Sequence, residues 1–275
     1  MFDRIRIGVV LFAVLLLMEE VVSGQDRQLL VSAQIAVGWM GNPGEPGSVQ
    51  AITEVNFVNS DMNPASVVMD TYRDSGLPLV VKKTRPNGLA SQGSSLTVNL
   101  TGFSSTQYVL SVCDDNWAGN CPSPDLRKGW AVLDIPRTMI VEVTYKILDY
   151  QGKVISAVGV AVQEPGNEFV FFGKSKNGSA TAFAIANPNY TDTLVSVEVL
   201  DSNGNIVGQK DVPMKAKEQV AMFLQELFPA VANNLPAGQV RISSPTNKIA
   251  ILVLGSHAGV TGPQLSGAAV HAVVR

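Results

Sequence analysis

Histidine and cysteine are nearly absent from this chain of 275 residues: His257 and His271 are the two histidines, and Cys113 and Cys121 the two cysteines. So small a supply argues against most zinc sites and most His- or Cys-based catalytic networks, and no cofactor is expected. Charge is scarce too. Charged residues make up 16% of the chain, and a net charge of −3, from 20 basic and 23 acidic residues, gives no field to draw in DNA, RNA or an anionic bilayer. Hydrophobic residues at 46% exclude a disordered polar chain. The sequence also lacks a Gly-x-Ser-x-Gly nucleophile elbow, a His-Glu-x-x-His zinc helix, a phosphate-binding Gly-Lys-Ser loop and a dinucleotide fingerprint. The nearest string, Gly255-Ser256-His257-Ala258-Gly259, carries histidine where the serine would stand and follows an apolar run, so it reads as a small-residue turn. The chain is therefore read as non-enzymatic.

What is present begins with a targeting pattern. Arg4 and Arg6 precede an uncharged apolar run over residues 7–18, which Glu19 and Glu20 end well short of the roughly 20 residues a membrane span needs. Small or compact residues at Val22, Ser23 and Gly24 place cleavage before Gln25, which makes residues 1–24 a secretory signal peptide. The expected residence is extracellular or the cell envelope, with no membrane span after cleavage. In that oxidising setting Cys113 and Cys121, with seven residues between them, are expected to form a disulfide. So short a loop gains about 2 to 3 kcal/mol in the chain-entropy account, enough to hold a loop rather than a fold.

The bridged segment holds the candidate binding residues. Asp114, Asp115 and Asn116, with Asn120 and Asp125 nearby, form an oxygen-rich turn, but their spacing is not that of an EF-hand and no metal is assigned. Trp117 lies among them, where an aromatic ring either stacks on a sugar or anchors a protein partner, or else folds back over the disulfide. Trp39, beside Gly38, Gly41 and the Pro43-Gly44-Glu45-Pro46-Gly47 turn, is a candidate for the same end of the molecule. The expected partner is a protein or glycan at the cell surface, its identity open. Asn-x-Ser/Thr acceptors stand at Asn99, Asn177 and Asn189.

The chain is also written twice. Glu54 to Ser60 align with Ala182 to Pro188 at an offset of 128 residues, and at the same offset Val67 meets Val195, Met69 meets Val197 and Gly76 meets Gly204. Further on, Gly129 to Pro136 meet Gly238 to Pro245 at an offset of 109, so the first copy holds 19 additional residues. The interval that must contain them includes the cysteine segment, and the join falls near Glu164-Pro165-Gly166.

Within each copy the periodicity is that of half-buried strands. Val55 and Phe57 alternate with polar neighbours, as do Val195, Val197 and Val199. Asp149-Tyr150-Gln151-Gly152 and Asp201-Ser202-Asn203-Gly204 are hairpin signals, with Asn-Gly suited to a tight turn. Residues 249–254 have no polar member, the pattern of a strand buried on both faces. Residues 217–228 carry Val220, Phe223, Leu224 and Leu227 at helical spacing before Pro229, which predicts one short helix capping the second copy. The reading is all-β: two tandem immunoglobulin-like antiparallel β-sandwich domains, residues 25–165 with an inserted cysteine loop and 166–275 with the helix.

The series Asn187-Pro188, the strand from Val195 to Val199, the Asp201 to Gly204 hairpin, Phe223 to Phe228 and Gly238 to Ser243 resembles uncharacterised β-sandwich repeats of secreted bacterial, notably acidobacterial, proteins. The first copy is similar to a companion form, with Gly129-Trp130-Ala131 in its later strand and Asn59-Ser60 in place of Asn-Pro. The resemblance covers nearly the whole mature chain and implies a scaffold, with no catalytic or binding residues to carry over.

Overall fold

The structure is a computed structural model that describes residues 26–112, 125–174, 179–232, 238–259, 262–267 and 271–272. Among the described residues the regular elements are strands apart from two four-residue helices, and the strands pair antiparallel. The signal-like segment lies outside the described residues, and among those described no helix is long and apolar enough to cross a membrane.

The first half contributes β1 (Arg27–Met40), β2 (Val49–Asn59), β3 (Ala65–Arg73), β4 (Val81–Thr84), β5 (Ala90–Gly93), β6 (Ser95–Leu100), β7 (Ser105–Ser111), β8 (Arg127–Pro136), β9 (Met139–Asp149), β10 (Val154–Val160) and β11 (Val162–Gln163). One layer runs β6-β3-β8-β1-β11 and the other β5-β4-β7-β2-β9-β10. β1 joins them, pairing with β8 from Arg27 to Val37 and with β2 from Gly38 to Met40. The second half contributes β12 (Glu168–Gly173), β13 (Ser179–Ala186), β14 (Thr193–Leu200), β15 (Ile206–Met214), β16 (Gln219–Phe223), α1 (Leu224–Leu227), α2 (Pro229–Ala232), β17 (Gly238–Ser243), β18 (Ala250–Gly259), β19 (Gly262–Gly267) and β20 (His271–Ala272). Its layers run β15-β14-β17-β12-β20 and β16-β13-β18-β19. These are the first half's orders without β4 and β5.

Alternation explains each layer. Val55 and Phe57 on β2 are buried, as are Val195, Val197 and Val199 on β14, while their neighbours face outward or lie half-buried. The repeat also recurs in hydrogen bonding. Asn59 donates Nδ2 to the carbonyls of Asn63 and Thr101 at 2.8 and 3.0 Å, and accepts from the Asp61 N–H. Asn187, 128 positions later, donates to Thr191 and Lys215 at 2.9 and 2.8 Å and accepts from the Asn189 N–H.

Register relocates the first half's extra length. Ala65 pairs with Leu100 where Thr193 pairs with Met214, so the offset has fallen from 128 to 114 by β6 and β15. It is 109 by β8 and β17, where Val68 faces Asp134 as Ser196 faces Ser243. Most of the addition is therefore the β4-β5 hairpin. The connection that contains Cys113 and Cys121 is matched by the α1-α2 connection of the second half and adds only the remainder.

Two local expectations are corrected. Residues 219–223 are strand: β16 pairs with β13 from Ala186↔Gln219 to Ala182↔Phe223, and cross-strand hydrogen bonds override helix propensity there. Helix begins only at Leu224, and Leu224, Leu227 and Phe228 enter the second core. The hairpin at Asp201 is not a two-residue Asn-Gly turn. Gly204 alone of the pair has positive φ, +82°, and the Asp201 carboxylate accepts the N–H groups of Asn203 and Asn205 at 2.8 and 2.9 Å. Asp149 does the same for Gln151 and Lys153, with Gly152 at +83°. Both are wider loops closed by a glycine bulge.

The halves share buried surface. Residues 249–254 are the doubly buried strand the sequence suggests: Ile249, Ile251 and Val253 enter the second core, while Ala250 and Leu252 join Ala184 and Ala186 against the first. Polar groups fasten the same contact. Gln219 donates Nε2 to the Ala33 carbonyl and its N–H to Asp74, Gln163 donates to Ile251, and the Trp130 indole donates to the Lys217 carbonyl at 3.1 Å. The Lys217 ammonium bonds the Pro188 carbonyl and sits 3.9 Å from the Tyr190 ring centroid.

Candidate functional site

Of the sequence-predicted site, Cys113, Asp114, Asp115, Asn116, Trp117 and Cys121 lie outside the described residues. Trp39 and the residue that follows the cysteine segment, Asp125, are described, and the fold joins them. Trp39 bridges to Asp125, and its carbonyl accepts the Leu126 N–H at 2.9 Å. Gly38 permits this contact: it has φ +123°, and a Cβ there would lie 2.3 Å from the Asp125 carbonyl oxygen. The half-buried Trp39 ring is thus held beside the point where the chain re-enters β8.

Two arginines stand at the same end. Arg73 on β3 faces Gly129 on β8, so Arg127, two residues before Gly129, shares its face of the sheet. Among the described residues, Arg73 Nε and Arg127 Nη1 are both buried without a hydrogen-bond partner. Burial, then the neighbouring Arg73 charge, holds Arg127 below its ordinary pKa, with Asp125 pulling the other way. An arginine cannot escape by losing its proton, so the unpaired N–H groups cost free energy until an acceptor reaches them. Such an end is suited to a polar or anionic group beside an aromatic ring. No motif marks the arginines, because they are far apart in sequence and become neighbours only through the β3-β8 register.

The remaining candidates are dispersed. His257 pairs on β18 with Ser179 and Gln264, and His271 on β20 with Val170, so the two histidines lie in different layers. Among the described residues no group of three His, Cys, Asp or Glu side chains is placed to hold a metal.

No protein-family model matches the chain, and neither does any curated protein. Among solved structures, a Thermotoga maritima protein is 12% identical, with 39% of this chain and 94% of that one covered and a TM-score of 0.31. A β-glucuronidase of glycoside hydrolase family 2 is 9% identical over 91% of this chain at a TM-score of 0.23, and the chain spans about a third of its length, 31%. The C-terminal domain of the Streptococcus pyogenes antigen I/II-family protein AspA is 10% identical, with 90% and 99% covered and a TM-score of 0.13. Likeness this slight carries no argument about function.

Proposed function

We propose that the protein is an exported, non-catalytic interaction module of the cell surface or extracellular space, built from two tandem immunoglobulin-like sandwich domains. The shared strand order and the paired Asn59 and Asn187 networks support the tandem reading. One observation carries the binding role: at the end of the first half that adjoins the cysteine segment, Trp39 bridges Asp125, two residues before Arg127, and Arg127 shares a sheet face with Arg73, each arginine having a buried nitrogen with no acceptor among the described residues. Such a surface is completed by a partner that brings carboxylate or other acceptor groups. The disulfide between Cys113 and Cys121 belongs to the same proposal, as a staple for the adjoining segment.

A second reading, a carbohydrate-binding module using Trp117 and the Cys113 to Cys121 segment, gains from the position of Trp39, since two aromatic rings at one end make a sugar platform. Affinity electrophoresis against a polysaccharide panel, with a pull-down from envelope and medium in parallel, separates the two. Capture of a specific protein that fails with Arg127→Gln supports the first. Retardation on a polysaccharide abolished by Trp117→Ala supports the second, and turnover of a substrate by the parent protein sinks both.

A further inference from the structure

On the opposite face of β8 from Arg127, the contact between the halves leaves a cavity of about 290 Å³. Its cause is a pair of small side chains. Ala184 on β13 and Ala221 on β16 are directly opposed in register, and the next pair on that sheet face, Ala182 and the partly exposed Phe223, raises an aromatic wall beside the hollow. Leu254 adds an aliphatic wall from the second half. The first half supplies the polar side: Gln34 on β1, Lys128 on β8 and Tyr145 on β9.

Gln34, Tyr145 and Lys128, the last at an exposed position of β8, each bring a donor to this side. Among the described residues nothing hydrogen-bonds the Tyr145 hydroxyl, the Gln34 amide or the Lys128 ammonium. Glu226, which also borders the cavity, has an oxygen engaged by the Phe223 N–H at 2.8 Å. Burial pushes the Tyr145 hydroxyl up to about 12, so it keeps its proton, and its capacity to donate, throughout the physiological range. Small-ligand pockets combine apolar walls with a few convergent polar groups, and their volumes begin at about 300 Å³.

We propose that this cavity binds a small carboxylate with an aromatic or branched aliphatic body, seated on Ala184 and Ala221 with its head toward Lys128, Gln34 and Tyr145. The Lys128 charge selects a carboxylate over a neutral head, and the alanine floor limits the ligand to one compact apolar group. Because the walls come from both halves, occupancy ties them together and raises the melting temperature as ligand concentration rises. The site is independent of the arginine-bearing end and does not rest on the binding role proposed for it.

Titration calorimetry of the protein with 3-phenylpropionate, 4-methylpentanoate and the neutral 3-phenylpropionamide tests the site. The expected result is binding of at least one acid, about tenfold tighter than the amide, since a charge-assisted hydrogen bond contributes more than a neutral one. Lys128→Met should erase that preference. Ala221→Leu, an exposed strand position that tolerates the larger residue, should fill the hollow and abolish binding while the far-ultraviolet circular dichroism stays that of the parent. Absence of heat with both acids at millimolar concentration, or equal binding by the parent and Ala221→Leu, overturns the proposal.

Discussion

Asn59 and Asn187, 128 positions apart, make the same set of hydrogen bonds. Each is buried, each spends both amide protons on main-chain carbonyls, and each accepts an N–H two residues on. Removing either leaves several buried groups unpaired, so Asn187→Ala should cost about 3 kcal/mol in urea unfolding, with Asn59→Ala similar. The sequence pointed to the position through Asn-Pro and read Asn59-Ser60 as a departure. The following residue proves immaterial, because the asparagine makes the bonds. Lys83 is the opposite case: an ammonium buried in the first half, bonded to the Ser95 carbonyl, with its pKa lowered by burial. Between that lowered value and the ordinary 10.5 the unfolded chain binds more protons, so this group's penalty is full at neutral pH and fades as pH rises through the window. Lys83→Met should therefore raise stability most at pH 7 and flatten the curve toward pH 10.5. An unchanged pH profile would show that burial is not what governs Lys83.

At the scale of elements, the strands that alternate cleanly were legible and those governed by partners were not. β2 and β14 announce themselves by period two, whereas residues 217–228 read as helix by composition, yet 219–223 become β16 because β13 offers an edge in register and helix is kept only over Leu224–Leu227. The β4-β5 hairpin was invisible as an insertion for a related reason. A repeat offset says how much has been added, and only pairing says where. β1 carries the sharpest element-level prediction. It leaves β8 after Val37 and joins β2 from Gly38 onward, turning at a φ of +123° directly under the Asp125 carbonyl. Gly38→Ala should cost on the order of 3 kcal/mol, from combined backbone strain and clash, and move the urea midpoint accordingly. A loss within a few tenths would mean the contact with Asp125 is dispensable. Trp39 could be nominated from sequence as part of this end, but Arg73 and Arg127 could not, since only the β3-β8 ladder brings them together.

For the molecule as a whole, uniform hydrophobicity over residues 249–254 established that both faces of a strand are covered without naming the cover. The structure supplies it: Ala250 and Leu252, with Ala184 and Ala186, rest on the first half, where small side chains let the sheets approach closely. Such sharing predicts one cooperative unfolding transition, with tryptophan fluorescence and far-ultraviolet circular dichroism coinciding. Ala184→Arg, which forces a long charged side chain into the contact, should split it into two. Coincident curves for that variant would indicate that the coupling between the halves does not run through Ala184. The same strand bears on the order of assembly. Because β18 follows the whole of the first half in sequence and one of its faces is covered by that half, the growing chain has made the covering surface before β18 is synthesised. Expressed on its own, that second half would carry an uncovered alanine and leucine face, and its natural recourse is to stick to copies of itself.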